Sequence, residues 1–430
     1  MIRSLNLIVV LFFTSLNLSA QNVIDVADGW SSNSVNAVVF RQNSLVTAND
    51  TQFIAFYNPD GYLTLGKRHI KSTTFKTYVT QYKGNVKDAH NCISIMVDGD
   101  GYLHVSWDHH GHPLRYARSI APYGLKLGEK QSMAGANEDN VTYPQFFKMP
   151  DGNLIFMYRD GMSGRGNLAM QKYDTKAQKW SVLHTNLIDG EGQRNAYWQA
   201  CIDSKGTIHL SWVWRETWDV SSNHDLCYAR SKDGGVSWEK TNGDKYVLPV
   251  NAKSAEYACR IPQRSELINQ TSIVADDKGQ PYIASYWREQ DSDVPQYQLV
   301  TFLNGEWFHQ NLRFRSSAFS LSGGGTKRIP ISRPQIVAQS KGKKTIACII
   351  FRDQERDEKV SLAKVTLGKK TKIELSDITD FGVGLWEPSF DTELWKEKGQ
   401  LHLFVQKVDQ VDGEGVASSK PTLVKVIEVK

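Results

Sequence analysis

The sequence predicts an all-β chain folded as a seven-bladed β-propeller. Three observations carry that prediction: the composition, a repeated hairpin, and strand-like segments at the two ends. The 430 residues include 12 Trp, 17 Tyr, 17 Phe and 32 Gly, and apolar stretches of helical period are scarce. A recurring unit joins an apolar strand, a turn of Asp, Asn or Lys before Gly, and an alternating strand of β-branched and aromatic residues. Its turns fall at Gly61, Gly101, Gly152, Gly206 and Gly279, with weaker copies at Gly342 and Gly399. Glycine suits such turns because it adopts positive φ without steric cost.

Taken in order, residues 1–20 read as a cleaved secretory signal. Arg3 precedes a mostly apolar run, and Leu18-Ser19-Ala20 closes it on a small residue. Asn6, Ser15 and Asn17 make the run too polar for a membrane span, and no cysteine follows it for a lipid anchor. Residues 21–430 are then one propeller domain, since no Pro-, Ser- or Gly-rich linker interrupts the series. A periplasmic or secreted monomer with no membrane partner is the expectation. Residues 23–26 and 423–429 are candidates to pair and close the ring. The segment HPLRYARS at 112–119 returns as HDLCYARS at 224–231 and runs into SKDGGVSW, an Asp-box, which is a structural turn. The chain has 5 cysteines, too few and too odd a number for a disulfide framework, so at least one thiol is expected free or buried. His224 and Cys227 have a spacing compatible with a metal ligand pair, although a buried small side chain is the plainer reading of Cys227.

Charge narrows the partner. Lys+Arg total 51 against 46 Asp+Glu, a net +5 without a basic block, which argues against nucleic acid. A locally basic site for an acidic small molecule or polymer remains. No phosphate-binding loop is present, so no organic cofactor is implied.

In an antiparallel hairpin, residues equidistant from the turn lie opposite one another. This places His90 against His110, Tyr143 against Arg159, Tyr197 against Arg215, Gln270 against Arg288, and Arg333 against Arg352. All lie at similar distances from their turns, so five consecutive blades present them at one end. Pairs of cations would repel there without an anion between them. Asp108, Asp160, Glu216, Glu289 and Asp353 adjoin the arginines in sequence and offer an alternative, structural explanation for Arg288 and Arg352. His109 and His112 are read as structural, His109 by strand parity.

Two imidazoles, a phenol and a guanidinium suit proton abstraction beside a carboxylate. Glycoside hydrolysis wants two flanking carboxylates, and no acidic residue occupies the matched positions. Arg159 would neutralise a uronate carboxylate as the C5 proton leaves. Tyr143, its phenol pulled down by that cation, could act as base and return the proton to the leaving oxygen, while His90 and His110 could share base or acid work or hold the sugar ring; the sequence leaves open which group takes which proton.

The segments HNCISIMVDGDGYLHVSWDHHGHPLRYARS, VTYPQFFKMPDGNLIFMYRDG, NHDLCYARSKDGGVSW and SELINQTSIVADDKGQPYIASYWR resemble the BNR-4-like propellers, which include the ulvan lyases. The resemblance implies β-elimination at uronic acids next to sulfated rhamnose, with His90, His110, Tyr143 and Arg159 catalytic. Tyr197, Arg215, Gln270, Arg288 and Arg333 would bind the acidic sulfated polysaccharide or oligosaccharide. It also implies a possible structural zinc or calcium ion. Relatives include an oligosaccharide dehydratase, which loses water instead of sugar, and α-L-rhamnosidases. For the latter, Ala48 stands in NSLVTANDTQF where a catalytic histidine is expected. A sugar-binding propeller is the non-enzymatic alternative, and Trp107, Trp214 and Trp287 are its candidate platforms. Trp107 and Trp287 have the opposite parity from the rim residues and are expected to pack between blades.

Overall fold

A computed structural model describes residues 20–38, 42–269, 272–341, 344–368 and 370–429. Strands are consecutive in sequence and pair antiparallel with their neighbours, as a repeated hairpin requires. Four-stranded sheets form from Leu45–Ala48 through Lys76–Lys83, from Ser272–Ala275 through Glu306–Asn311, and from Gln335–Lys341 through Lys372–Gly382. A three-stranded sheet joins Ile93–Val97, Leu103–Trp107 and Tyr116–Arg118. Two further ladders, Val141–Lys148 through Lys179–Ile188 and Asn195–Ile202 through Glu256–Cys259, merge into one larger sheet. The link is a single parallel contact, Gly166 to Asn195.

The expected pairing of the two ends is present. Ala20–Gly29 lies at the edge of the last sheet beside Thr422–Val429, with Val23 opposite Ile427 and Ile24 opposite Val426. Inner strands are buried on both faces, and apolar residues fill the space between sheets (Trp107, Trp198, Trp212 and Trp214 are all fully buried). Burial of Trp107, Trp214 and Trp287 removes all three as sugar platforms. None of the five cysteines forms a disulfide.

The repeat departs from expectation at its last copy. Gly399 does not turn a hairpin; it ends the helix Thr392–Lys398 in the left-handed conformation, φ 62°. Asp391 caps that helix by accepting from Leu394 N, and Lys396 and Lys398 occupy its last turn, where they complement the helix dipole. The inner strand shrinks to Ser389–Phe390. The turn at Gly342 lies outside the described residues.

Candidate active site

Hairpin register brings most of the anticipated residues to one end of the inner strands, with instructive shifts. Around Gly101 the pairing holds as expected, Ile93 opposite Trp107. The chain then turns out of its sheet at Asp108, φ 65°, and His110–His112 joins the next ladder, His110 pairing Thr142. That crossover lays the His110 ring on His90, with centroids 4.1 Å apart and planes 16° from parallel. Around Gly152 the ladder holds up to Gln145–Met157. A bulge then sets Thr142, rather than Tyr143, opposite Arg159. Tyr143 occupies the bulge at φ 56°, an uncommon conformation for a bulky residue. Around Gly206 the turn is centred one residue earlier than expected, so Tyr197 faces Val213 and Arg215 faces Asn195.

His90, His110, Tyr143, Tyr197, Arg215 and Arg333 nevertheless line one cavity of about 270 Å³, together with Ser163, Trp218, Glu387 and Glu414. Arg159 lies against it, its guanidinium carbon 4.9 Å from the Tyr143 ring centroid. Gly166 makes room for that arginine: a Cβ there would meet Arg159 Cγ at 2.7 Å. Gln270 lies outside the described residues. Arg288 does not join the site: it pairs with Glu266 at 2.8 Å and donates to the carbonyls of Arg264 and Ser292. Arg352 is buried and donates to the carbonyls of Ile329, Pro330, Ile331 and Trp386, so both arginines have structural roles. His109 is buried and accepts from Arg115 N, and His112 Nδ1 accepts from His110 N, as structural histidines should.

Three carboxylates at the site escaped the sequence reading, which put none there. Asp88 binds both histidines at once, Oδ1 to His90 Nδ1 at 2.8 Å and Oδ2 to His110 Nδ1 at 2.7 Å. Burial would raise the Asp88 carboxyl, but the hydrogen bonds from His110 and His90 outweigh it and hold it well below the usual range. An ionised carboxylate only accepts, so each Nδ1 carries the proton and each Nε2 is the basic nitrogen. Burial pushes His90 down to about 4, against the opposing hydrogen bond from Asp88. Its imidazole is therefore neutral at ordinary pH. The signal for Asp88 was in the sequence: a carboxylate two residues before His90.

Glu387 grips Arg333 through Nε at 2.8 Å and Nη2 at 2.6 Å. It starts Glu-Pro-Ser as Arg333 starts Arg-Pro-Gln and Tyr143 starts Tyr-Pro-Gln, a register match the hairpin arithmetic passed over. Glu414 comes from a distant loop and stands 3.5 Å from His90 Nδ1. Burial and the neighbouring Asp88 raise its carboxyl.

The phenols behave otherwise than expected. Burial raises Tyr143, and the adjacent Tyr197 adds to it, outweighing Arg159. The guanidinium lies over the ring and donates to Thr142 Oγ1, so it gives the Tyr143 hydroxyl little help. Burial also acts to raise Tyr197, but Arg215 and Arg159 prevail and lower it. Arg215 Nη1 lies 3.4 Å from the Tyr197 hydroxyl. Among the described residues, no carboxylate comes within ion-pair distance of Arg159 or Arg215. Arg159 Nε and Nη1, both buried, have no hydrogen-bond partner there.

Asp88, His90 and His110 are the described residues whose spacing could hold a metal. Their Nδ1–O distances of 2.7–2.8 Å are hydrogen-bond lengths, shorter than the ~3.3 Å edge of a tetrahedron with ~2.0 Å bonds. His224 and Cys227 do not fit a metal site either. His224 is flanked by Glu216 at 2.8 Å and Asp225 at 3.1 Å, while Cys227 is buried with its thiol pushed well above the usual value.

Residues 51–315 match the BNR_4 model, described as a BNR repeat-containing family member. Among curated proteins, Ulvan Lyase-PL25 of Pseudoalteromonas sp. (strain PLSV) is 23% identical over 236 residues, covering 47% of each chain. Ulvan lyase, long isoform, of Alteromonas sp. is 24% identical over 192 residues, 40% of this chain and 19% of that one. The chain thus spans about half the length, or less, of these curated relatives. Polysaccharide lyase Uly1 superposes with a TM-score of 0.68 at 14% identity, over 95% of this chain and 99% of that one. A PL25 ulvan lyase bound to -[GlcA(1-4)Rha3S]- gives 0.67 at 16%, over 91% and 96%. At such identities these structures speak to the fold alone: all-β, several sheets, propeller-like. With well over half of its length matched, the chain belongs to the BNR repeat-containing family.

Proposed function

We propose that this protein carries out β-elimination at a uronic acid of ulvan or its oligosaccharides, as a secreted or periplasmic polysaccharide lyase on a seven-bladed propeller. The observation that carries the proposal is a buried pair of guanidiniums, Arg159 and Arg215, with no carboxylate partner, beside two histidines whose Nε2 is basic. Two uncompensated buried cations call for an anion, and a uronate carboxylate is one that also acidifies the adjacent C–H. The names of the curated relatives support that substrate.

In the reaction, Arg159 holds the carboxylate and takes up the charge that grows on it. Nε2 of His90 or His110 removes the C5 proton, the electron pair forms the C4–C5 double bond, and the C4–O bond breaks. Tyr143, a neutral phenol because burial raises it, is suited to give its proton to the departing oxygen. No cofactor takes part. A bound zinc or calcium ion would be structural, and elemental analysis of the purified protein measures it.

The test incubates purified residues 21–430 with ulvan and follows the ultraviolet absorbance of the new double bond, with mass spectrometry of the products. Unsaturated, shortened fragments are expected, with activity reduced at least ~100-fold in Tyr143→Phe and Arg159→Ala. Saturated products, or binding without reaction, would overturn the proposal in favour of a hydrolase or a sugar-binding protein.

A further inference from the structure

The cavity is lined by two loops that are pinned to each other. Lys327 pairs with Asp412 at 2.7 Å, Arg328 N donates to Asp412 Oδ1 at 3.0 Å, and Gly413 N donates to Thr326 O at 2.9 Å. The fit is tight: a Cβ at Gly325 would meet Gly413 Cα at 3.0 Å and Glu414 Oε1 at 3.2 Å. The two loops are tied to different parts of the cavity wall. On one side Val220 N donates to Gly323 O, and Gly323 N to Asp219 Oδ1, both at 2.9 Å, with Trp218 packed on Gly324. On the other, Glu414 reaches the Asp88–His90 pair. Gly324 to Lys327 and Glu414 all line the cavity, as does Trp218, a residue that is 66% exposed.

We propose that residues 322–328 and 411–415 form a fixed bar that makes an acidic saccharide enter end-on, with Glu414 reading the terminal hydroxyl and Trp218 stacking on a sugar ring. A carboxylate accepts a hydrogen bond from the C1 hydroxyl of a reducing-end uronate; the C4–O bond of that uronate is then the one that breaks, the rest of the chain leaves as the alcohol, and an unsaturated uronate monomer remains. An internal residue offers only a glycosidic oxygen, which cannot donate, and the sugar beyond it would have to pass through the bar. A sulfate on that sugar would also meet Glu414 and Asp88 with like charge. A largely exposed Trp in a sugar-sized cavity suits ring stacking. This inference rests on the elimination reading for its substrate and goes beyond it in assigning attack at chain ends.

The experiment compares wild type, Glu414→Ala and the double variant Lys327→Ala/Asp412→Ala on intact ulvan and on the same mass of ulvan pre-cut to a tenth of its length. End-on attack predicts that unsaturation accumulates while the remaining polymer keeps its mean size on size exclusion. Pre-cutting then raises the initial rate about tenfold, because chain ends are the substrate. Glu414→Ala should lose most of that preference. The double variant, if its circular dichroism matches wild type, should begin to shorten the polymer internally; if it does not fold, the wild-type data decide alone. Early collapse of polymer size with equal rates on both substrates overturns the bar while leaving the lyase standing. If no double bond forms at all, the elimination reading fails and Trp218 fluorescence titration judges the bar. Affinity that scales with chain ends supports end-on entry, and affinity that scales with repeat units overturns it.

Discussion

Asp88 is the residue on which the chemistry of the site turns. Among the described residues its cavity-lining partners are the two histidines and Glu414, and it fixes the protonated nitrogen of both imidazoles. In Asp88→Asn the single carbonyl oxygen can accept from one Nδ1 only, and the amide NH₂ faces the other, which must lose its proton to accept. One histidine would then present Nε2–H in place of a lone pair. We expect kcat to fall about 10–100-fold with KM little changed, the range for loss of an orienting partner. The acidic limb of the kcat/KM profile should also move. In wild type, His90 stays a competent base down to about pH 4. Without the Asp88 carboxylate the hydrogen bond that opposes burial is lost, so His90 would titrate still lower, and a limb governed by His90 should shift to more acid pH. A limb that moves to more alkaline pH would mean that His90 does not govern it. A purely structural role for Asp88 would lower thermal stability and leave the limb in place.

At the scale of elements, the helix Thr392–Lys398 fastens the last sheet to the first. Asp391 accepts from Thr47 N and Oγ1 and from Gln52 Nε2, as well as capping the helix. Burial raises its carboxyl from 3.8 to about 6. Between those values the folded chain holds a proton that the unfolded chain has lost, so stability falls as pH rises from about 4 to 6, by roughly 3 kcal/mol. His90 acts in the opposite sense. From 6.5 down to about 4 the unfolded chain binds a proton that folded His90 refuses, so stability falls on acidification by a similar amount, roughly 3 kcal/mol. The two nearly cancel between pH 4 and 6. Asp391→Asn should cost about 1–3 kcal/mol at pH 7, because its amide NH₂ meets the hydroxyl of Thr47 and the Gln52 amide. It should also expose a positive slope of stability against pH between 4 and 6, which denaturant titration at several pH values would reveal. This helix was legible in Asp-Thr-Glu-Leu-Trp-Lys-Glu-Lys-Gly, a cap, an acidic first turn, a basic last turn and a stop, but the hairpin repeat masked it. The five stronger hairpins were legible because turn glycine and strand alternation are local. The bulge at Tyr143 and the crossover at Asp108 were not, because each trades ladder hydrogen bonds for a side-chain position that only the assembled site rewards.

The whole molecule explains why Glu414 could not be found from sequence and what holds it in place. Its loop is anchored by residues that immediately follow the first strand. Ser31 Oγ donates to Lys420 O, Asp409 N to Ser31 O, and Gln410 Oε1 accepts from both Ser34 N and Oγ. Contacts nearly 400 residues apart in sequence leave no periodic trace. They exist because Ala20–Gly29 pairs with Thr422–Val429, so the joining of the two ends and the construction of the cavity wall depend on one another. Val426 tests this coupling. It is fully buried and lies between Ile24 on one side and Phe404 on the other. Val426→Pro removes a ladder hydrogen bond in a strand paired on both edges, at a cost of about 3 kcal/mol or more. If closure binds the sheets into one cooperative unit, unfolding should remain a single transition shifted several degrees lower, with circular dichroism and Trp218 fluorescence melting together. End selectivity on pre-cut substrate should weaken at temperatures where the chain is still folded, because the Glu414 loop loosens first. A partial early melt that leaves Trp218 and end selectivity untouched would mean that the sheets stand independently, and that the cavity wall owes nothing to closure.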